Sequence, residues 1–174
     1  MGRILIGNTM EETAYHEAGH IVIAGAVGLD VQPKGIVIYE VEDVADGWAF
    51  YWEDNQQWID ILLALRAGQL AQLKQFPKSE FRGGQSDVQK FSSIVKQHFP
   101  PNCDGNMWQD ISAKTQNKVD SHWGAIESVA DAAMEASWIP VTVSEHPEAK
   151  RKKHLDGNTL VGILAKYKIS ARVR

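Results

Sequence analysis

His16-Glu17-Ala18-Gly19-His20 puts two imidazoles and a carboxylate inside a run of residues otherwise suited to burial, and any fold of this chain must satisfy those groups away from water. Ala14, Ile21, Ala24 and Val27 make the surrounding segment a mostly apolar helix, which predicts cover on most of its sides. Thr9 followed by Glu12 reads as a capping box, Glu11 and Glu12 add negative charge to the first turn, and Gly28 is the expected stop. Buried His and Glu side chains need partners. Either three separate hydrogen-bonding groups meet them, or a shared metal ion does.

The HExxH spacing favours the ion. Four helical residues advance about 6 Å and about 400°, so His16 and His20 share one face and can converge on a tetrahedral metal. Glu17 then falls beside it. In the known mechanics of this motif the metal polarises a carbonyl while the carboxylate takes a proton from water and later delivers it to the leaving group. The bare motif is only moderately specific, and its helical, buried setting is what raises its weight. The expectation is a metal-dependent hydrolase with Glu17 as catalytic base and His16 and His20 as ligands.

At 174 residues the chain is long enough for a single domain over 1–174, and no internal repeat divides it. A net charge of -4 argues against general nucleic-acid affinity, and the one basic run, 150–153, reads as a solvated loop. Cys103 is the only cysteine, so a Cys-based zinc site and an intrachain disulfide are both excluded, consistent with a cytoplasmic setting. The longest apolar run, 21–29, is far short of the roughly 20 residues that span a bilayer. The apolar patch at 4–6 is too short for a signal peptide, and no membrane insertion is expected.

Beyond the first helix, 35–41 and 47–52 read as strands joined by the acidic segment 42–46. Asp54 is the expected N-cap of a helix running to about Lys74, with Leu62, Leu65 and Leu70 on its apolar face and Pro77 after its end. Gly83-Gly84 marks a turn, and Ser86 with Gln89 reads as a second capping box opening a helix that Pro100-Pro101 closes. A single long helix is expected from Asp110 to about Ser137, a loop over 140–153, and a last helix capped near Asp156. Trp48, Trp52 and Trp58 read as core, although a strand edge at 48–52 would suit pairing with an extended peptide. The sum is an α+β, mostly α-helical domain with a small β-sheet or hairpin.

A catalytic zinc usually takes three protein ligands. The extended HExxHxxGxxH pattern is absent, since Ile23 and Ala26 stand where its Gly and His would be. The third ligand is therefore a distant carboxylate or one of His98, His122, His146 and His154. Asp87 is the strongest by position, following a glycine pair in the first turn of an expected helix. An ordinary first-turn Asp would look the same.

Three ordered segments, Thr13-Ala14-Tyr15 with HEAGH, 62–69 (LLALRAGQ) and 83–87 (GGQSD), resemble the peptidase domain of FtsH-type AAA proteases, and Leu155-Asp156-Gly157 is similar to a late stretch of that family. The resemblance implies a predominantly helical, zincin-like domain in which His16, His20 and Asp87 hold Zn(2+) and Glu17 is catalytic. It departs at Gln69 in place of a Glu, at Arg82 in place of a Thr, and at Phe91-Ser92 in place of an Ala-Thr pair, which touches the substrate groove and the support of the ligands. The chain shows no ATPase module, phosphate loop or membrane anchor.

The expectation is thus a soluble, ATP-independent zinc metallopeptidase acting on peptides or unfolded protein, as a homo-oligomer or with a separate ATPase partner. The alternative is a catalytically inactive metal-binding interaction or regulatory module of the same fold. A hydrolase of non-peptide amides is not separated from a peptidase by sequence.

Overall fold

A computed structural model describes residues 8–42, 44–53, 57–79, 84–101 and 104–174. The expectations placed on 4–6, Arg82, Gly83 and Cys103 lie outside the described residues, and the N-cap expected at Asp54 is instead Gln57, three residues further on and without a side-chain capping bond. The fold is α+β and mostly helical, with one small four-stranded antiparallel sheet. In chain order the elements are α1 (Met10–Ala26), β1 (Val31–Val41), β2 (Val44–Tyr51), α2 (Trp58–Gln75), α3 (Gln85–His98), α4 (Asp104–Ser121), α5 (Trp123–Glu135), β3 (Trp138–Pro140), β4 (Arg151–Leu155) and α6 (Gly157–Lys166).

α1 is the central element. Thr9 accepts from the Glu12 amide at 3.1 Å and the Glu12 carboxylate accepts from the Thr9 amide at 2.8 Å, so the capping box closes in both directions. At the other end Gly28 takes φ +88°, Gly28 N–H donates to Gly25, and Leu29 N–H donates to Ala24, the paired bonds of a Schellman stop. Every residue from Thr13 to Gly25 is buried. α2 crosses α1 at Gly19, where a Cβ would come 2.7 Å from the Ala67 carbonyl oxygen, while α5 and the β1–β2 hairpin cover the other sides.

The sheet order is β2-β1-β4-β3, which leaves β2 on one edge. Ile36 and Ile38 of β1 are fully buried, and the other face of the strand is covered as well, because Tyr39 packs on His146 and donates to Glu145. The hairpin is tighter than the acidic segment suggested: Val44, Ala45 and Asp46 already pair with Val41, Glu40 and Tyr39. Asp46 has poor strand propensity, but pairing across a two-residue connection overrides it.

Four other expectations are corrected. The basic run is not a solvated loop: residues 151–153 lie in β4, where Arg151 pairs with Glu40, Lys152 with Glu145, and Lys153 donates to the carbonyls of Met134 and Ala136 at the end of α5. Helix-end carbonyls and acidic neighbours neutralise cations that looked free in sequence. The expected helix from Asp110 to Ser137 is two, broken at His122, which takes φ -111° and ψ 19° and opens α5. The apolar period runs on through this one-residue break, so the pattern carried no sign of it. α3 starts at Gln85 after Gly84 with no side-chain cap, so Ser86 lies inside the helix rather than at its cap. Trp48 and Trp52 are exposed rather than core, because the face of β2 that carries Trp48 and the strand end at Trp52 border open space instead of a packed layer; Trp58 is half-buried and stacks on His98. Among the described residues no helix is long and apolar enough to cross a membrane.

Gly19→Ala tests the α1–α2 crossing. The new Cβ meets backbone, which cannot rotate away, so the variant is expected to lose about 1–3 kcal/mol in urea unfolding. Unchanged stability would show that the helices can part there freely.

Candidate metal centre

Two turns of α1 and the first turn of α3 meet at one point. His16 Nε2 and His20 Nε2 are 3.0 Å apart, and Asp87 Oδ2 lies 3.1 Å from the first and 3.3 Å from the second. A tetrahedral ion with bonds of about 2.0–2.1 Å has ligand atoms about 3.3 Å from one another. All three separations fall within a few tenths of an ångström of that edge, so the cluster can hold a metal ion with little rearrangement.

The opposite ring nitrogens explain why both Nε2 atoms point inward. His20 Nδ1–H donates to the Ala64 carbonyl at 2.8 Å, and His16 Nδ1–H donates to Gln72 Oε1 at 3.1 Å. Gln72 is fully buried and is itself oriented, since its amide donates to Asn8 Oδ1 and Ser79 Oγ. With each Nδ1 carrying the proton, each Nε2 presents a lone pair. Space for the His20 ring comes from Gly68 of α2, where a Cβ would sit 2.4 Å from Nε2.

Two lone pairs and a carboxylate oxygen facing one another repel unless a cation or proton lies between them. The titration behaviour reflects this. Burial disfavours the His20 imidazolium, but the charge and hydrogen bonding of Asp87 outweigh it and raise its pKa to about 9. Burial pushes the Asp87 carboxyl up, and the two histidines overcome that and hold it far below the usual carboxylate range. Proton and metal compete for one position.

Glu17, 6% exposed, has no hydrogen-bond partner among the described residues. Burial raises its pKa, opposed by His16 and His20 and assisted by Asp87. Its carboxylate lies against the backbone of β2, where a Cβ at Gly47 would come 2.9 Å from Glu17 Cγ. Along this seam a cleft of about 1140 Å³ opens, lined by the cluster, Glu17, most of β2, Leu65 and Lys90.

The structure brings together all four residues singled out from sequence: His16, Glu17, His20 and Asp87. It leaves the other histidines elsewhere or at the rim. His98 stacks on Trp58, His122 sits at the α4–α5 junction, and His154 bonds the Lys34 carbonyl. His146 reaches the cleft, its ring edge-to-face with Trp48. Two of the residues that depart from the FtsH pattern stand behind the site: Gln69 accepts from Arg66, which stacks on Trp108, and Phe91 packs on the same indole. Gln72 went unnoticed in sequence, because a glutamine on an apolar helix carries no spacing signal. No family model matches the chain, and no curated protein matches it in sequence.

The His20 shift has a consequence for stability. Its folded pKa of about 9 stands above the ordinary 6.5, so its contribution is fully present below about pH 6.5 and is lost as pH rises through about 9. Chelator-treated protein is expected to melt at progressively lower temperature across that window. Asp87→Asn should flatten the dependence, and melting curves that do not change between about pH 6.5 and about pH 9.5 would contradict the proton-sharing arrangement.

Proposed function

We propose that this chain is a zinc-dependent metallopeptidase of the FtsH-like type that hydrolyses peptide bonds. The observation that carries the reading is the convergence of His16, His20 and Asp87 at tetrahedral spacing beside Glu17, a buried carboxylate left unpartnered at an open cleft. Structural zinc sites are closed by four protein ligands; three ligands at a cleft leave a position for a reactant. A set of two imidazoles and one carboxylate suits zinc, which when bound acidifies water and polarises a carbonyl.

In this reading Glu17 accepts a proton from the attacking water as the new O–C bond forms and the carbonyl π pair moves onto oxygen. The same proton passes to the amide nitrogen as the C–N bond breaks, releasing an acid and an amine. Burial supports this by raising the Glu17 pKa, which makes it a stronger base than an exposed glutamate. Gln72 and the Ala64 carbonyl keep the two imidazoles in register.

The edge strand supports a peptide as the substrate. Ala45 N–H turns away from β1 to donate to the Asn8 carbonyl, so by strand alternation Gly47 and Ala49 turn their backbone groups to the same outer side. Asp46 caps the Gly47 amide with its own side chain, a bond an incoming strand can replace. Among the described residues only Asn8 pairs on that edge, at Ala45, and an extended peptide added at Gly47 and Ala49 would pass over Glu17. Exposed Trp48 and Trp52 flank the same strand.

Glu17→Gln is expected to keep full zinc stoichiometry and lose hydrolysis of unfolded casein by about 10²-fold or more. Asp87→Ala should lose zinc on dialysis. Cleavage by Glu17→Gln, prepared free of host protease, would overturn the mechanism. Zinc-loaded wild type that cleaves nothing would favour a metal-binding interaction module instead.

A further inference from the structure

Tyr51 is the last residue of β2 and lines the cleft. It shares strand parity with Gly47, whose Cα faces Glu17 and Thr13, so its side chain projects from the β2 face that covers α1. The residue is only 8% exposed, yet its phenol oxygen makes no hydrogen bond among the described residues. Its backbone carbonyl, by contrast, accepts from Gln32. Phenylalanine would fill the same space but offer no donor to the cleft that Tyr51 lines. A ligand-facing role gives the hydroxyl a reason to be there.

We infer that Tyr51 is a catalytic residue of the proposed hydrolysis, its phenol donating a hydrogen bond to the oxygen that becomes negative in the tetrahedral adduct. Three observations carry this. The phenol shares a cleft with Glu17 and Asp87 and feels the charge of both. Burial first, and then Glu53, Asp87 and Glu17, hold its pKa well above the ordinary value, so it remains a neutral donor at any working pH. It is also carried by the strand whose outer edge, bridged among the described residues only at Ala45, would pair with the peptide, so the phenol and the scissile carbonyl would be positioned by the same element. Two other donors at the cleft are engaged: Lys90 pairs with Glu53, and His146 packs against Tyr39 and faces Asp46.

This inference rests on the metallopeptidase reading, and Tyr51→Phe tests it. The variant is expected to fold and melt at or above the wild-type temperature, because no hydrogen bond is removed, and to bind zinc with unchanged stoichiometry. Its kcat on an unfolded protein should fall on the order of 10²-fold or more with little change in KM. A phosphinic pseudo-tripeptide, which presents a tetrahedral oxyanion and needs no turnover, should bind the zinc-loaded variant about tenfold or more weakly than wild type. Full kcat in Tyr51→Phe, with activity still dependent on Glu17, removes this inference alone. Equal phosphinate affinity in the two proteins removes it even where neither turns over. A wild type that takes up no zinc removes the metallopeptidase reading and this inference with it.

Discussion

The fold is organised around a helix that is buried from Thr13 to Gly25 and yet carries two histidines and a glutamate. Each covering element answers part of that demand. α2 supplies the Ala64 carbonyl and Gln72, and its Gly68 leaves room for a ring; α3 supplies Asp87; the hairpin supplies Gly47, a position on β2 where a side chain would collide with Glu17. Small residues at Gly19, Gly47 and Gly68 are therefore not gaps in the core. They let neighbouring elements come close enough for buried polar groups to be met, which an apolar helix of the same length would not require.

What was legible in sequence follows from how local each signal is. The α1 boundaries were readable because the Thr9–Glu12 box and Gly28 act within a few residues of themselves. Asp87 was readable as a position, though its role came from resemblance, since a first-turn aspartate looks alike whether or not it meets His16 and His20. The α4–α5 break was hidden because a one-residue kink does not disturb an apolar period. The basic run read as loop because charge patterning does not reveal that Glu40, Glu145 and the end of α5 lie opposite. Gln72 belongs to the same class. Its partners His16 and Asn8 are 56 and 64 residues away in the chain, and nothing near it announces them.

The exposed tryptophans show the limit of reading hydrophobicity as burial. Trp48 and Tyr39 belong to the same outer face of the hairpin, and their rings meet edge to face at 5.4 Å. Tyr39 is covered by the segment around His146, whereas Trp48, one strand further out, stays 42% exposed. Strand alternation assigns faces correctly but is silent on whether a face is covered. That depends on sheet order, and β2 is an edge.

The edge position also bears on what kind of site this is. A metal held only for stability needs its donors satisfied and its surroundings filled, because open volume and unpartnered polar groups both destabilise. Here the donors are satisfied, with each imidazole fixed through Nδ1, but the surroundings are not filled. Among the described residues a buried carboxylate lacks a partner, a nearly buried phenol lacks one too, and the backbone of a strand edge faces the same space. In the proposed reading all three serve one occupant, an extended peptide whose carbonyl would lie between Glu17 and Tyr51. A passive metal clip explains the three ligands but gives no reason for the other three features to gather on one side of them.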